Sequence, residues 1–322
     1  MTRKILVTGS SGFLGTALVD HLAHLSDAHI VALSRQATTH SSPTVTTAIV
    51  AGLNADTPWQ TVLHDVDTVV HAAARVHVMH DTAADPLSLY REVNTLGTLH
   101  LAKQAAAAGV RRFIFISTIK VNGESTARGE CFRADDAPNP SDPYAISKHE
   151  AEQGLLALAK TSTMEVVIIR PVLVYGPGVK ANFLQLMRTL RRGVPLPLGS
   201  VNNARSLVSL DNLIDLIQVC IDHPAAANQV FLVSDGRDLS TTELASRLSA
   251  HLRASGWLIP VPESLIMLGA TLLGRKSAAE RVLGSLRVDI SKNRERLQWQ
   301  PPVSVEDGLK KTVEHFLVTD RA

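Results

Sequence analysis

Tyr144 and Lys148 stand four residues apart in Asp142-Pro143-Tyr144-Ala145-Ile146-Ser147-Lys148. On a helix that spacing puts both side chains on one face, a turn apart. An ammonium beside a phenol favours phenolate and lowers its pKa towards neutral pH. Tyr144 is then a credible general acid/base for a hydroxyl or carbonyl that exchanges hydride, and Lys148 is placed to hold a cofactor ribose. Pro143 suits a first helical turn, with Asp142 as its cap. Alone, such a pair arises often by chance. Here Ser117 and Thr118 follow the apolar run Phe113 to Ile116. A hydroxyl at the carboxyl edge of a strand can share a substrate oxygen with Tyr144. Thr118 is the first choice for that role and Ser117 the second.

A second constellation lies at the start of the chain. Gly9, Gly12 and Gly15 recur at a spacing of three in Thr8-Gly9-Ser10-Ser11-Gly12-Phe13-Leu14-Gly15. They follow the apolar run Ile5-Leu6-Val7 and open a helical pattern, which is the context a dinucleotide-binding turn requires. Gly9 permits the tight turn, Gly12 the close approach of a pyrophosphate, and Gly15 close helix–sheet packing. The N–H groups of Ser11, Phe13 and Leu14 then face the phosphates. After the second β-like run comes Leu33-Ser34-Arg35, with no acid to receive a ribose diol. Arg35 can pair with a 2′-phosphate, so Ser34 and Arg35 favour NADP(H) over NAD(H). A solvated Arg35 is the alternative.

These groups need a scaffold. Short apolar runs at Ile5 to Val7, Ile30 to Leu33, Thr46 to Val50, Val66 to Val70, Phe113 to Ile116 and Val166 to Ile169 alternate with helical segments. The helices are expected at Phe13 to Leu25 and Pro86 to Ala108. Strands apolar on both faces and separated by helices predict an α/β fold, a doubly wound parallel sheet. Residues 1–171 form the nucleotide-binding domain on this reading. Residues 172–322 form a smaller, mostly helical substrate lobe, with an interleaved boundary. Helices are expected there at Asn182 to Arg192, Leu210 to Asp222, Thr241 to Ala254 and Val305 to Val318.

Composition is that of an ordinary globular enzyme: 322 residues, 45% hydrophobic, 19% charged, net charge +2. No basic field points to nucleic acid. Cys131 and Cys220 have no partner motif and are expected as free thiols, and no metal spacing occurs. The first apolar run is too short for a signal peptide or a span, which predicts a cytoplasmic protein without membrane insertion. Leu265 to Leu273 is about half a span and reads as a buried helix in preference to a membrane contact.

Taken together, the chain resembles the extended short-chain dehydrogenase/reductases, in the NAD-dependent epimerase/dehydratase branch that handles nucleotide sugars. The resemblance rests on the glycine triplet, His71-Ala72-Ala73-Ala74, Asn94-Thr95-Leu96-Gly97-Thr98, Ser117-Thr118, Tyr144-x-x-x-Lys148, Arg170-Pro171 running on to Gly178, and Arg205-Ser206-Leu207-Val208-Ser209. It implies that Ala72, Ala73, Ala74, Asn94 and Pro171 lie along the dinucleotide, with Asn94 also able to brace the sheet or the active-site helix. It implies a nucleotide sugar in the C-terminal lobe, near Arg75, Lys120, Asn122, Lys180 and Asn182. Arg205 would pair with its diphosphate and the backbone around Leu198 would read its base. A homodimer is implied as well, through a surface that includes Leu101 to Ala108. Surface or purely structural roles remain the alternatives for Arg205, Lys180 and Asn94. His71 is read as a packed strand-end residue. The cluster Arg75 to His80 is read equally as part of the sugar pocket or as a polar loop.

The match has gaps. Asn122 replaces an aromatic residue common in 4-epimerases, and Val172-Leu173-Val174 replaces an asparagine. Gly52 stands near the place of an acid, and Ser209 in place of a histidine. Ile119-Lys120 after Thr118 replaces the acid pair of dehydratases, which argues against dehydration. What stays open is a 4-epimerase or a 4-keto-sugar reductase acting on a UDP-hexose or UDP-N-acetylhexosamine. A carbonyl reductase of a non-sugar substrate is a further alternative. So is a non-catalytic NADP sensor.

Overall fold

The computed structural model describes residues 3–76, 85–254 and 257–320. The strands are β1 (Arg3–Thr8), β2 (Ala28–Ser34), β3 (Val45–Ile49), β4 (Thr68–His71), β5 (Arg112–Ile116), β6 (Glu165–Pro171), β7 (Leu173–Tyr175), β8 (Arg205–Ser209), β9 (Gln229–Val233) and β10 (Asp238–Leu239). The helices are α1 (Phe13–Leu22), α2 (Gln60–Leu63), α3 (Pro86–Tyr90), α4 (Thr98–Ala107), α5 (Pro143–Ala159), α6 (Ala181–Arg191), α7 (Leu210–Asp222), α8 (Thr241–Leu252), α9 (Glu263–Leu272), α10 (Lys276–Leu283), α11 (Ser291–Leu297) and α12 (Val305–Thr319).

Seven strands form one parallel sheet in the order β3-β2-β1-β4-β5-β6-β9. Side chains alternate across it. Ile5, Val7, Ile30, Ala32, Val167 and Ile169 face a core that includes α1 and α7. Leu6, Val31, Leu33, Phe113, Phe115 and Ile168 face the opposite core, with α4 and α5. Both faces are covered, which is why these strands are apolar throughout. The order reverses between β1 and β4, and there Thr8 pairs with His71 at the carboxyl edge. A cleft at that reversal is where open α/β sheets bind ligands.

A smaller sheet, β10-β8-β7, and the helices α6, α8 and α12 build the second lobe around Tyr175, Phe183, Leu248 and Phe316. A cut at residue 171 does not separate the lobes. The chain returns through α7 and β9 to complete the main sheet, with β9 pairing β6. The single helix expected at Pro86 to Ala108 is interrupted: residues Arg91–Gly97 form a π-helical segment. Such widened turns concentrate at functional sites.

In the Ala-rich stretch, Leu101, Ala102 and Ala105 are buried in the core against the main sheet, while Lys103, Ala107 and Ala108 are exposed on the other face. One expectation, a buried helix at Leu265 to Leu273, needs correction. Leu265 to Leu273 does form a helix, α9, but none of its ten residues is buried. It packs against its neighbour α10 and not inside a lobe. His77, Val78, Met79 and His80 lie outside the described residues. Among the described residues, both cysteines are free, no helix is long and apolar enough to cross a membrane, and no metal-binding cluster occurs.

Candidate active site

The glycine turn closes the end of β1. Gly9 has φ +71°, a conformation that favours glycine, and a Cβ there would lie 2.8 Å from the Ala73 backbone. A Cβ on Gly15 would lie 2.0 Å from the Gly9 carbonyl oxygen, so helix and turn touch backbone to backbone. The first turn of α1 has no side-chain cap. By contrast Asp142, Ser209, Ser240 and Ser304 cap α5, α7, α8 and α12. Ser11 and Gly12 are exposed, Phe13 and Leu14 are half-buried, and the Ser10 hydroxyl is buried without a partner among the described residues.

His71 pins the next segment. Its ring nitrogens sit 2.7 Å from Thr8 Oγ1 and 2.9 Å from Thr98 Oγ1, and the Ala73 N–H donates to Thr8 Oγ1. Burial pushes its pKa down to about 3, so the ring is neutral and structural. Half-buried Ala72, Ala73 and Ala74 thereby line the cradle. Asn94, in the π-helical segment, holds the same strip to α5. Its Oδ1 accepts the Arg75 N–H at 2.8 Å, and its Nδ2 donates to Arg75 O and to Ser147 Oγ, each at 3.1 Å. That side chain braces the cleft wall.

Asp142 caps α5 as its sequence suggests, accepting the Ala145 N–H, and Pro143 occupies its first turn. Tyr144 is half-buried on that helix. Its ring meets the edge of Tyr90 at a centroid distance of 6.1 Å, and the Arg75 guanidinium lies 5.6 Å above the Tyr90 ring. Lys148 is 1% exposed, with Nζ 3.8 Å from the centre of the Phe115 ring. The expected depression of the tyrosine pKa is not found. Burial, then the Asp142 carboxylate and Tyr90, push the Tyr144 phenol above its ordinary value. Burial pushes the Lys148 ammonium down to about 7, while the Glu152 carboxylate opposes that shift. Desolvation favours the neutral form of both groups and is the largest cause of both shifts.

Thr118 stays half-buried at the end of β5. Its Oγ1 accepts the Lys120 N–H, which leaves its own proton free to donate elsewhere. Ser117 is different: it is 4% exposed and donates to Glu152. Glu152 in turn takes a bidentate contact from Arg170, at 3.0 and 2.6 Å, and Arg170 Nη1 donates to Asn122 Oδ1 at 2.9 Å. Asn122 Nδ2 donates to Arg133 O. Ser117 and Asn122 are therefore members of a buried network behind the site, not groups that reach into it. Buried charge is tolerated there because every member is hydrogen-bonded. Two parts of this wall were missed from sequence, Tyr90 and the Glu152–Arg170 pair. Glu152 had a signal: it continues the 144, 148 face by four more residues.

Among the remaining residues, Lys120 is tied to Asp142 and to Glu124 and steadies the start of α5. The Ser34 hydroxyl donates back to Gln36 O and Arg35 is exposed. Pro171 is buried at the end of β6. Lys180 and Asn182 are exposed at the start of α6, which has no side-chain cap. Arg205 has no carboxylate partner among the described residues. Its Nη1 donates to Arg281 O and Gly284 O, and burial pushes its pKa down. Around Leu198, the N–H groups of Leu196 and Gly199 pair with Trp257 and Ile259, so much of that backbone is already engaged.

The cleft fits a dinucleotide on two grounds from these residues: a backbone cradle with no room for side chains, and a buried lysine lacking a hydrogen-bond acceptor among the described residues. A ribose diol is the kind of partner such an ammonium requires. Fold and cleft together define a nicotinamide-dinucleotide enzyme of the doubly wound class. The family model for the NAD-dependent epimerase/dehydratase family matches residues 5–234, and the chain belongs to that family of enzymes. It is 52% identical to a UDP-glucose 4-epimerase of Vibrio cholerae over 98% of this chain and 96% of that one. It is 30% identical to a UDP-glucose 4-epimerase of Mycolicibacterium smegmatis over 97% and 98% of the two chains. The crystal structure of a UDP-glucuronic acid 4-epimerase from Bacillus cereus in complex with NAD superposes with a TM-score of 0.79 at 22% identity, covering 98% and 99% of the chains. The expected preference for NADP(H) draws no support from these relatives.

Proposed function

We propose that the chain is a 4-epimerase of a UDP-hexose or UDP-N-acetylhexosamine that works with a retained NAD(H). The observation that carries the epimerase reading over a reductase is the 52% likeness, across nearly both full lengths, to an enzyme of that activity. When bound, the nicotinamide would take the C4 hydride and give it back. Tyr144 accepts the proton of the sugar 4-hydroxyl as the carbonyl forms and returns it after the 4-keto sugar has turned its other face. Thr118 donates its unused proton to the same oxygen. Lys148 gains acceptors from the ribose, which raises its pKa, and its restored charge brings the phenol down. Gly9, Ser11, Gly12, Phe13, Leu14 and Gly15 hold the pyrophosphate, beside Ala72, Ala73 and Ala74. Arg205 pairs with the sugar nucleotide's diphosphate, a fit for an arginine that no carboxylate neutralises among the described residues.

The test is to incubate the purified protein with UDP-glucose, UDP-N-acetylglucosamine and a UDP-4-keto-6-deoxy sugar, with and without added dinucleotide, and to follow the sugars by proton NMR. Interconversion of 4-epimers without added cofactor is expected. Consumption of NADPH in step with the 4-keto sugar, with no interconversion, would replace this reading by a reductase. Nucleotide released from the denatured protein identifies the resident cofactor, with NAD(H) expected.

A further inference from the structure

The hairpin of α9 and α10 carries an unusual surface. Seven of the thirteen large hydrophobic residues most exposed among the described residues fall between Trp257 and Val282. On α9, Leu265, Leu268 and Leu272 recur at spacings of three and four, a stripe of one helical face turned outward. At the turn, Leu272 and Leu273 are 80% and 76% exposed. The turn is preformed: Gly274 has φ +66°, and the N–H groups of Gly274 and Arg275 bond to Thr271 O and Ala270 O. The leucines are therefore held out on a fixed support.

Charge accompanies this apolar tip. Arg275, Lys276 and Arg281 are exposed on the turn and α10, against one acid there, Glu280, which pairs with Lys276. The other acid of the hairpin, Glu263, is exposed at the far end of α9 from the turn and accepts the Asn202 N–H. An apolar stripe ending in a cationic turn matches the interface of a bilayer that bears anionic head groups, with leucines at the acyl boundary and cations among phosphates. Neither helix is long enough to span. Between the hairpin and the Pro197-Leu198 segment runs a groove of about 470 Å³ lined by Ile266, Gly269 and Ala270, with Leu265, Leu273 and Arg275 at once on its wall and exposed, so the surface adjoins the second lobe.

We infer that the α9–α10 hairpin docks this protein peripherally on an anionic lipid bilayer. The full chain is sedimented with vesicles of phosphatidylcholine alone and of phosphatidylcholine with phosphatidylglycerol, at low and high salt. Wild type is expected to pellet with the anionic vesicles and to do so less at high salt. The L268Q/L272Q variant removes two leucines that do not line the groove. It is expected to lower the partition coefficient by about tenfold or more. R275E/K276E should abolish the preference for anionic vesicles, and circular dichroism melting checks that both variants fold. Wild type left in the supernatant with both vesicle types overturns the inference, as does L268Q/L272Q pelleting like wild type. A fall in molar mass by light scattering in L268Q/L272Q, without vesicle binding by wild type, would assign the surface to a second copy of the chain and also overturn it.

Discussion

Replacing Lys148 by methionine should stabilise the dinucleotide-free protein while disabling it. The ammonium is 1% exposed and has an aromatic face and no hydrogen-bond acceptor among the described residues. Its pKa of about 7 lies below the usual 10.5. Unfolding therefore takes up a proton between those two values, so wild-type stability rises with pH across that window, and the penalty is complete below it. At about 1.4 kcal/mol per pH unit, keeping the charge in the folded cleft at pH 7 costs about 4 kcal/mol as an upper bound. Methionine has similar length, no charge, and a thioether that suits the Phe115 ring. Allowing for relaxation around a buried lysine, Lys148→Met should gain about 2–4 kcal/mol at pH 7 and about 1–2 at pH 9. In a chain of this size the gain at pH 7 raises Tm by about 5 °C or more. The assay is thermal and urea unfolding of both proteins, stripped of nucleotide, at pH 7, 8 and 9. A variant less stable than wild type at pH 7, or a gain that does not shrink with rising pH, would refute the account of Lys148 as a strained cation awaiting its ribose. Turnover should fall by about a hundredfold or more, because the phenol loses the charge that lowers its pKa.

Other perturbations separate the parts of the site. Gly15→Ala places a Cβ 2.0 Å from a backbone oxygen, so it should cost about 3 kcal/mol or more in urea unfolding and abolish dinucleotide binding by calorimetry. Thr118→Ala should lower kcat by about 10–100-fold without a change in Tm. Ser117→Ala should spare kcat but cost about 1–2 kcal/mol of stability, since Glu152 loses a buried donor. Arg205→Met should raise KM for the nucleotide sugar by about 10–100-fold with kcat little changed, as expected for a contact equal in ground and transition states.

Much of this arrangement was legible in order along the chain. The glycine triplet after Ile5-Leu6-Val7, the helix capped by Asp142 and carrying Tyr144 and Lys148, and the strands apolar on both faces depend on near neighbours and on period. Strand and helix periodicity therefore fixes the class of fold and the place of the dinucleotide turn. The division at residue 171 was less legible, because β9 and α7 return to the main sheet from far along the sequence. Which hydroxyl faces the cleft could not be read locally. Ser117 and Thr118 are adjacent and chemically alike, and successive strand residues point to opposite sides. Ser117 turned towards Glu152, 35 residues away, and Asn122 towards Arg170, 48 residues away.

The same holds for charge and burial. Spacing brought a lysine one turn from a tyrosine, but only packing decided that both would be desolvated and that their pKa values would move towards the neutral forms. A hydrophobic run such as Leu265 to Leu273 announces a helix by its composition. Whether another element covers it depends on where the rest of the chain goes, and here, among the described residues, none of its helical residues is buried. Sequence determined the local geometry, because backbone conformation answers to adjacent residues. Tertiary structure alone determined solvation, because water is excluded by segments that meet only in the folded state.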